Sequence, residues 1–163
     1  YTLGGLYDLS KKTCIRGIEL NAKIPENYLN LALTFKSTGD AEAADEQYKK
    51  AVSLFPKSLA VLLGYGKNLE EQKKFSSAYM FYKKAYQLFP DSTEAALGAG
   101  LMGVELQKFK DSLQIFELHC GRSKQGILGF RKALSMMRSQ KGNPNTKEWL
   151  VKYENALGRC DKF

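Results

Sequence analysis

One histidine, one tryptophan and four prolines are spread over 163 residues, and no wholly apolar run exceeds a few residues. A bilayer-spanning helix needs about 20 consecutive apolar residues, so none is expected. The solitary His119 and the scattered Cys14, Cys120 and Cys160 form no CxxC pair. That exclusion removes a zinc site of the usual Cys/His spacing, and no other metal or cofactor is expected. The cysteines are expected as small buried apolar residues, with a Cys120–Cys160 bridge as the lesser alternative. With so little proline and no Ser/Gly-rich tract, a flexible linker is excluded as well.

What is present is a repeat. Tyr48-Lys49-Lys50-Ala51 to Leu54-Phe55-Pro56 returns 34 residues later as Tyr82-Lys83-Lys84-Ala85 to Leu88-Phe89-Pro90. Tyr48, Ala51 and Val52 share one helical stripe, and Pro56, lacking an N–H, ends that helix. Carried forward, the same ruler takes Ala44 and Ala78 to Ser112, Tyr82 to Phe116 and Ala32 to Gly66 and Gly100. Carried backward, it takes Gly39 to Gly5, Tyr48 to Cys14 and Phe35 to Tyr1. The chain is therefore expected to begin inside a repeat, as a fragment of a longer protein. The pattern predicts a helical stub at 1–3, then helices over 6–22, 26–38, 41–54, 59–72, 75–88, 93–106, 109–120, 124–139 and 146–158. Gly39-Asp40 reads as turn and helix cap. Isolated helical pairs cannot bury their apolar face, but stacked neighbours make a continuous core. The fold class expected is all-α, a solenoid of stacked antiparallel helix pairs.

The net charge of +8 is uneven. Residues 122–163 carry +7 and residues 1–121 carry +1. Arg131, Lys132, Arg138 and Lys141 make this C-terminal quarter a basic cap. It is read chiefly as a solvated face, with an acidic protein, an anionic membrane or nucleic acid as alternatives. Phe130, Trp149 and Tyr153 fall at helix-packing spacing, which disfavours nucleic acid. His119 occupies a core slot without a partner for acid–base work, so no catalysis is expected. Gly98-Ala99-Gly100-Leu101-Met102-Gly103 spells GxGxxG, but it lies inside a helix rather than after a strand, so dinucleotide binding fails.

The slots resemble the tetratricopeptide repeat. Residues 25–58 supply Tyr28, Leu31-Ala32, Phe35, Gly39, Ala44, Tyr48, Ala51 and Pro56. Residues 59–92 supply Leu62, Tyr65-Gly66, Leu69, Phe75, Ala78, Tyr82, Ala85 and Pro90. Residues 93–126 keep Gly100, Phe109, Ser112 and Phe116 but depart at Gly103, His119 and Lys124. The chain then divides as one repeat domain, 1–163: a partial repeat 1–24, three repeats, and a divergent capping pair over 127–163.

The resemblance implies a non-enzymatic protein-binding scaffold whose first helices line a concave groove. The slots facing that groove hold Leu29, Leu33 and Lys36, then Leu63, Lys67 and Glu70, then Leu97, Leu101 and Val104. An apolar floor of this kind suits a peptide or helix of a protein partner; the competing reading has the leucines covered by the chain's own C-terminal helices. The family's carboxylate-clamp residues are missing, since Leu29, Leu33, Gly64, Glu94 and Gly98 stand in those slots. Gly64, Gly98 and Gly103 would let a bound backbone approach the floor, or would serve close packing. Self-assembly through the incomplete first repeat is the alternative use of the fold. The compartment is left open, with the cytoplasm as default.

Overall fold

Start and stop signals cut the chain into helices at regular intervals. The computed structural model describes residues 3–140 and 144–160. Its helices are α1 (Leu3–Leu20), α2 (Pro25–Ser37), α3 (Ala41–Leu54), α4 (Leu59–Glu71), α5 (Phe75–Leu88), α6 (Thr93–Glu105), α7 (Phe109–Cys120), α8 (Lys124–Ser139) and α9 (Pro144–Cys160). No strand occurs among the described residues. Pro25 opens α2, where a missing N–H costs nothing. Asp40, Ser92 and Ser123 cap α3, α6 and α8 by accepting from the amides of Ala43, Ala95 and Gly126.

The turn repeats in the pairs α2–α3, α4–α5 and α6–α7. Gly39, Lys73 and Gln107 lie in the left-handed region, at φ +83°, +59° and +59°. The amides after them, of Asp40, Lys74 and Lys108, donate to the carbonyls of Phe35, Leu69 and Gly103 at 2.9, 2.9 and 2.7 Å. This is the six-to-one bond that closes a helix through a left-handed residue. Only the first copy uses glycine there. Gly5, expected in the equivalent turn, instead lies within α1. Glycine adopts helical φ as readily as left-handed φ, so the register alone does not make a turn.

The chain resolves into two compact units, one ending at Asn68 and one beginning at Leu69, with the division inside α4. In the first, α2 packs on α1 and α3. Tyr28, Ala51 and Val61 form its core, with Ile18, Leu29, Val52 and Phe55 against them. Tyr48 and Tyr65 stack with centroids 5.6 Å apart. The Tyr65 hydroxyl donates to Asp45 at 3.0 Å. Burial, then that bond to a carboxylate, pushes the Tyr65 phenol up to about 12.

In the second unit α6 packs on α5, α7 and α8, and α9 on α7 and α8. Phe116 and Phe130 stack at 5.2 Å, and Tyr153 meets Phe130 edge-on at 5.5 Å. The Tyr153 hydroxyl, fully buried, donates to the carbonyl of Phe109 at 2.9 Å. Tyr153 and Ala156 are wholly buried, as the slots of Tyr48 and Ala51 require, whereas Trp149 is half-buried. Cys120 and Cys160 are bonded to each other with Cα atoms 5.7 Å apart. The expectation of three unpaired cysteines holds only for Cys14, which is free and buried. The C-terminal ends of α7 and α9 meet side by side, and the bridge that stood as the lesser alternative is the outcome.

Candidate partner-binding surfaces

The first-helix leucines of the first unit have three different surroundings. Leu29 is half-buried and packs against the Tyr28–Val61 core. Leu63 is buried, with 9% of its surface exposed. Leu33 is open, at 48% exposed. Lys36 and Lys67 are exposed. Leu33 lines a groove of about 670 Å³ between α1 and α2, together with Leu6, Tyr7, Leu9, Thr13 and Ser37. None of the residues lining it is charged. Ser10 and Thr34 are hydrogen-bonded across its floor at 2.9 Å, and the Thr34 hydroxyl donates onward to the Asn30 carbonyl.

Leu6 and Leu9 were not among the expected groove residues. They are 50% and 60% exposed. The signal for them lies in the register. One repeat later their slots hold Asp40 and Ala43, and two repeats later Lys74 and Ser77. Two large apolar side chains thus replace polar or small ones at the rim of this groove.

In the second unit Leu97 and Leu101 are half-buried and pack against the Phe116–Phe130–Tyr153 core. A methyl of Leu97 sits where a Cβ on Gly129 of α8 would be, 2.1 Å from it. The chain's own α8 therefore covers part of Leu97. Val104 is fully buried. The glycines of the floor serve this kind of packing and not a ligand. A Cβ on Gly98 would lie 2.4 Å from the Tyr82 ring, and one on Gly103 would lie 2.1 Å from the Ser112 hydroxyl. Gly64 faces Leu29 and Tyr48. The idea that they admit a bound backbone is thereby replaced by close helix packing.

Arg131, Lys132 and Arg138 lie exposed on α8, and Lys141 is outside the described residues. Arg138 pairs with Glu154 and Arg159 with Glu117, each at 2.6 Å. Phe130 and Tyr153 are buried, so neither ring of this region is presented to a base.

His119 is buried and meets the Tyr86 ring edge-on at 5.4 Å. Burial first, then Arg122, lowers its pKa, against a smaller pull from Asp91. Among the described residues no group of three or more His, Cys, Asp or Glu is placed to hold a metal ion. No helix among them is long and apolar enough to cross a membrane.

Two family models, each described as Tetratricopeptide repeat, match residues 25–58 and 60–92. The type IV pilus assembly protein PilF of Pseudomonas aeruginosa is 29% identical over 79 residues, 48% of this chain and 31% of that protein. The alignment thus spans about a third of the relative's length. The solved structure of P. aeruginosa PilF superposes with a TM-score of 0.67 at 22% identity, covering 98% of this chain and 71% of that one. A crystal structure of MamA gives 0.67 at 16% identity, covering 98% and 94%. A chain of the Naa15/Naa10 complex bound to HypK-THB gives 0.64 at 18%, covering 94% and 26%. At these identities the likeness shows the fold, an all-α solenoid of helix pairs.

Proposed function

The chain belongs to the tetratricopeptide repeat family, and on that premise we propose that it is a non-enzymatic scaffold holding a peptide or helix of a partner protein. Its repeats make it a protein-interaction module. In the first unit the segment bound rests on Leu29, Leu33 and Leu63, with Lys36 and Lys67 setting its register; Leu97 and Leu101 hold the corresponding repeat slots of the second unit. Leu33 carries the reading: a leucine half exposed in an uncharged groove is a stretch of apolar surface that a partner would remove from water. Leu29 and Leu63 of the same unit are half-buried and buried, so they offer less apolar surface than Leu33. The test is affinity capture with wild type and Leu33→Glu side by side. Loss of the captured partner with unchanged helical circular dichroism supports the groove; retention of the partner removes it.

The relative's name supports assembly of a surface machine as the setting, a type IV pilus in that case. The Cys120–Cys160 bond supports an oxidising compartment over the cytoplasm, because cytosolic thiol pools keep such pairs reduced. A second reading, self-assembly through the first repeat, is favoured by the exposed Leu6 and Leu9 on the same uncharged groove. Light scattering over a concentration series tests it, and a monomer at every concentration removes it.

A further inference from the structure

We propose that the outer face of α8 docks an acidic segment of a partner protein around Leu128, a surface separate from the α1–α2 groove. The helix carries Lys124, Arg131, Lys132 and Arg138 and not one acidic residue. Its inner face, Gly126, Gly129, Phe130, Ala133, Leu134 and Met137, is buried. Its outer face, Lys124, Leu128, Arg131, Lys132 and Ser135, is exposed. Leu128 is 62% exposed and lies at the centre of that face. Lys124 is one turn before it, and Arg131 and Lys132 one turn after, so all four share one stripe.

Two features separate this face from an ordinary solvated one. First, a solubilising surface mixes charge signs, as α3 does with Glu42, Asp45, Glu46, Lys49 and Lys50. The face of α8 has one sign only. Second, it departs from the repeat. The slots that hold Glu94, Leu97, Gly98 and Leu101 on α6 hold Leu128, Arg131, Lys132 and Ser135 on α8. An acid has become an exposed leucine, and an apolar strip has become cationic. Arg138 is paired with Glu154, which leaves the centre of the patch on Lys124, Leu128 and Lys132.

Charge complementarity then describes the partner. It is a polypeptide with acidic residues about one helical turn apart and an apolar residue between them to meet Leu128. Nucleic acid fits poorly, because Phe130 and Tyr153 are packed inside and the half-buried Trp149 ring is covered by the Lys152 ammonium at 4.4 Å. A membrane fits poorly too, since this face offers a single large apolar side chain to insert.

The experiment uses a fluorescent helical peptide of Glu and Leu at that spacing, its Gln-for-Glu counterpart, and phosphatidylglycerol vesicles. Each is titrated with the whole chain from about 50 to about 300 mM salt. The acidic peptide is expected to bind, to weaken steeply with salt, and to lose about tenfold in affinity with Lys132→Glu and several-fold with Leu128→Ser. Leu33→Glu is expected to leave it unchanged, so failure of the groove and failure of this face are told apart. The proposal is overturned by no peptide binding at low salt, by equal binding of the Gln peptide, by indifference to Lys132→Glu, or by binding to vesicles alone.

Discussion

A disulfide joins Cys120 to Cys160, the last residue of α7 to the last residue of α9. The last described helix is thereby tied to the second helix of the preceding pair. The loop spans 40 residues of sequence, and chain-entropy reasoning gives such a cross-link about 3–4 kcal/mol. Reductant, or Cys120→Ser with Cys160→Ser, is expected to destabilise the unit from Leu69 onward by that amount in urea unfolding. Alkylation of unfolded, unreduced protein is expected to label Cys14 alone. Two further labelled thiols and an unchanged urea midpoint would contradict the bond.

The left-handed residue Lys73 offers a gain in stability. It holds a φ of +59° in a turn where the first repeat has glycine. A side chain there costs about 1 kcal/mol relative to glycine. Lys73→Gly should raise stability by about that much. A lowered or unchanged midpoint would show that the lysine side chain makes a compensating contact.

Much of this architecture was legible before any coordinates. The bounds of α3, α5, α7 and α8 follow from the 34-residue spacing of Tyr, Ala and Pro, because period and punctuation are local properties of the chain. Burial of individual slots was not legible. Leu29, Leu63 and Leu97 share one repeat position, yet the first and third are half-buried and the second is buried. What lies over a slot depends on the neighbouring helix and not on the residue in it. Leu6 and Leu9 escaped notice because they break the pattern that made the rest readable. The Cys120–Cys160 bond depends on two helix ends meeting, which spacing alone does not encode. Leu63 also changes what can be tested: Leu63→Glu would bury a charge and report on folding, not on binding.

Gly98 and Gly158 should respond oppositely to alanine. A Cβ at Gly98 would collide with the Tyr82 ring, whose hydroxyl donates to Glu70 at 2.8 Å. Moving that ring costs about 1–3 kcal/mol. Gly158, exposed near the end of α9, has nothing within 4 Å of its Cβ position. Gly158→Ala should gain about 0.5 kcal/mol in helix propensity. Thermal midpoints of the two variants check this, and similar shifts would refute the packing at Tyr82.

Acid should weaken the second unit through His119. Its folded pKa is depressed by burial and by Arg122, so the unfolded chain takes up the proton more readily. Stability is therefore full above the unfolded value of about 6.5 and falls as pH drops from there through the lower folded value. Melting temperature followed from neutral to mildly acidic pH should decline less steeply in His119→Gln than in wild type. Identical slopes would assign the acid sensitivity to other groups.

The central claim is that the open groove at Leu33 is where a partner is held. Quantitative affinity capture with wild type, Leu33→Glu and Lys132→Glu, each matched for helical circular dichroism, tests it most directly. The account predicts a protein held by wild type and by Lys132→Glu and lost with Leu33→Glu. The same protein retained on folded Leu33→Glu would contradict it.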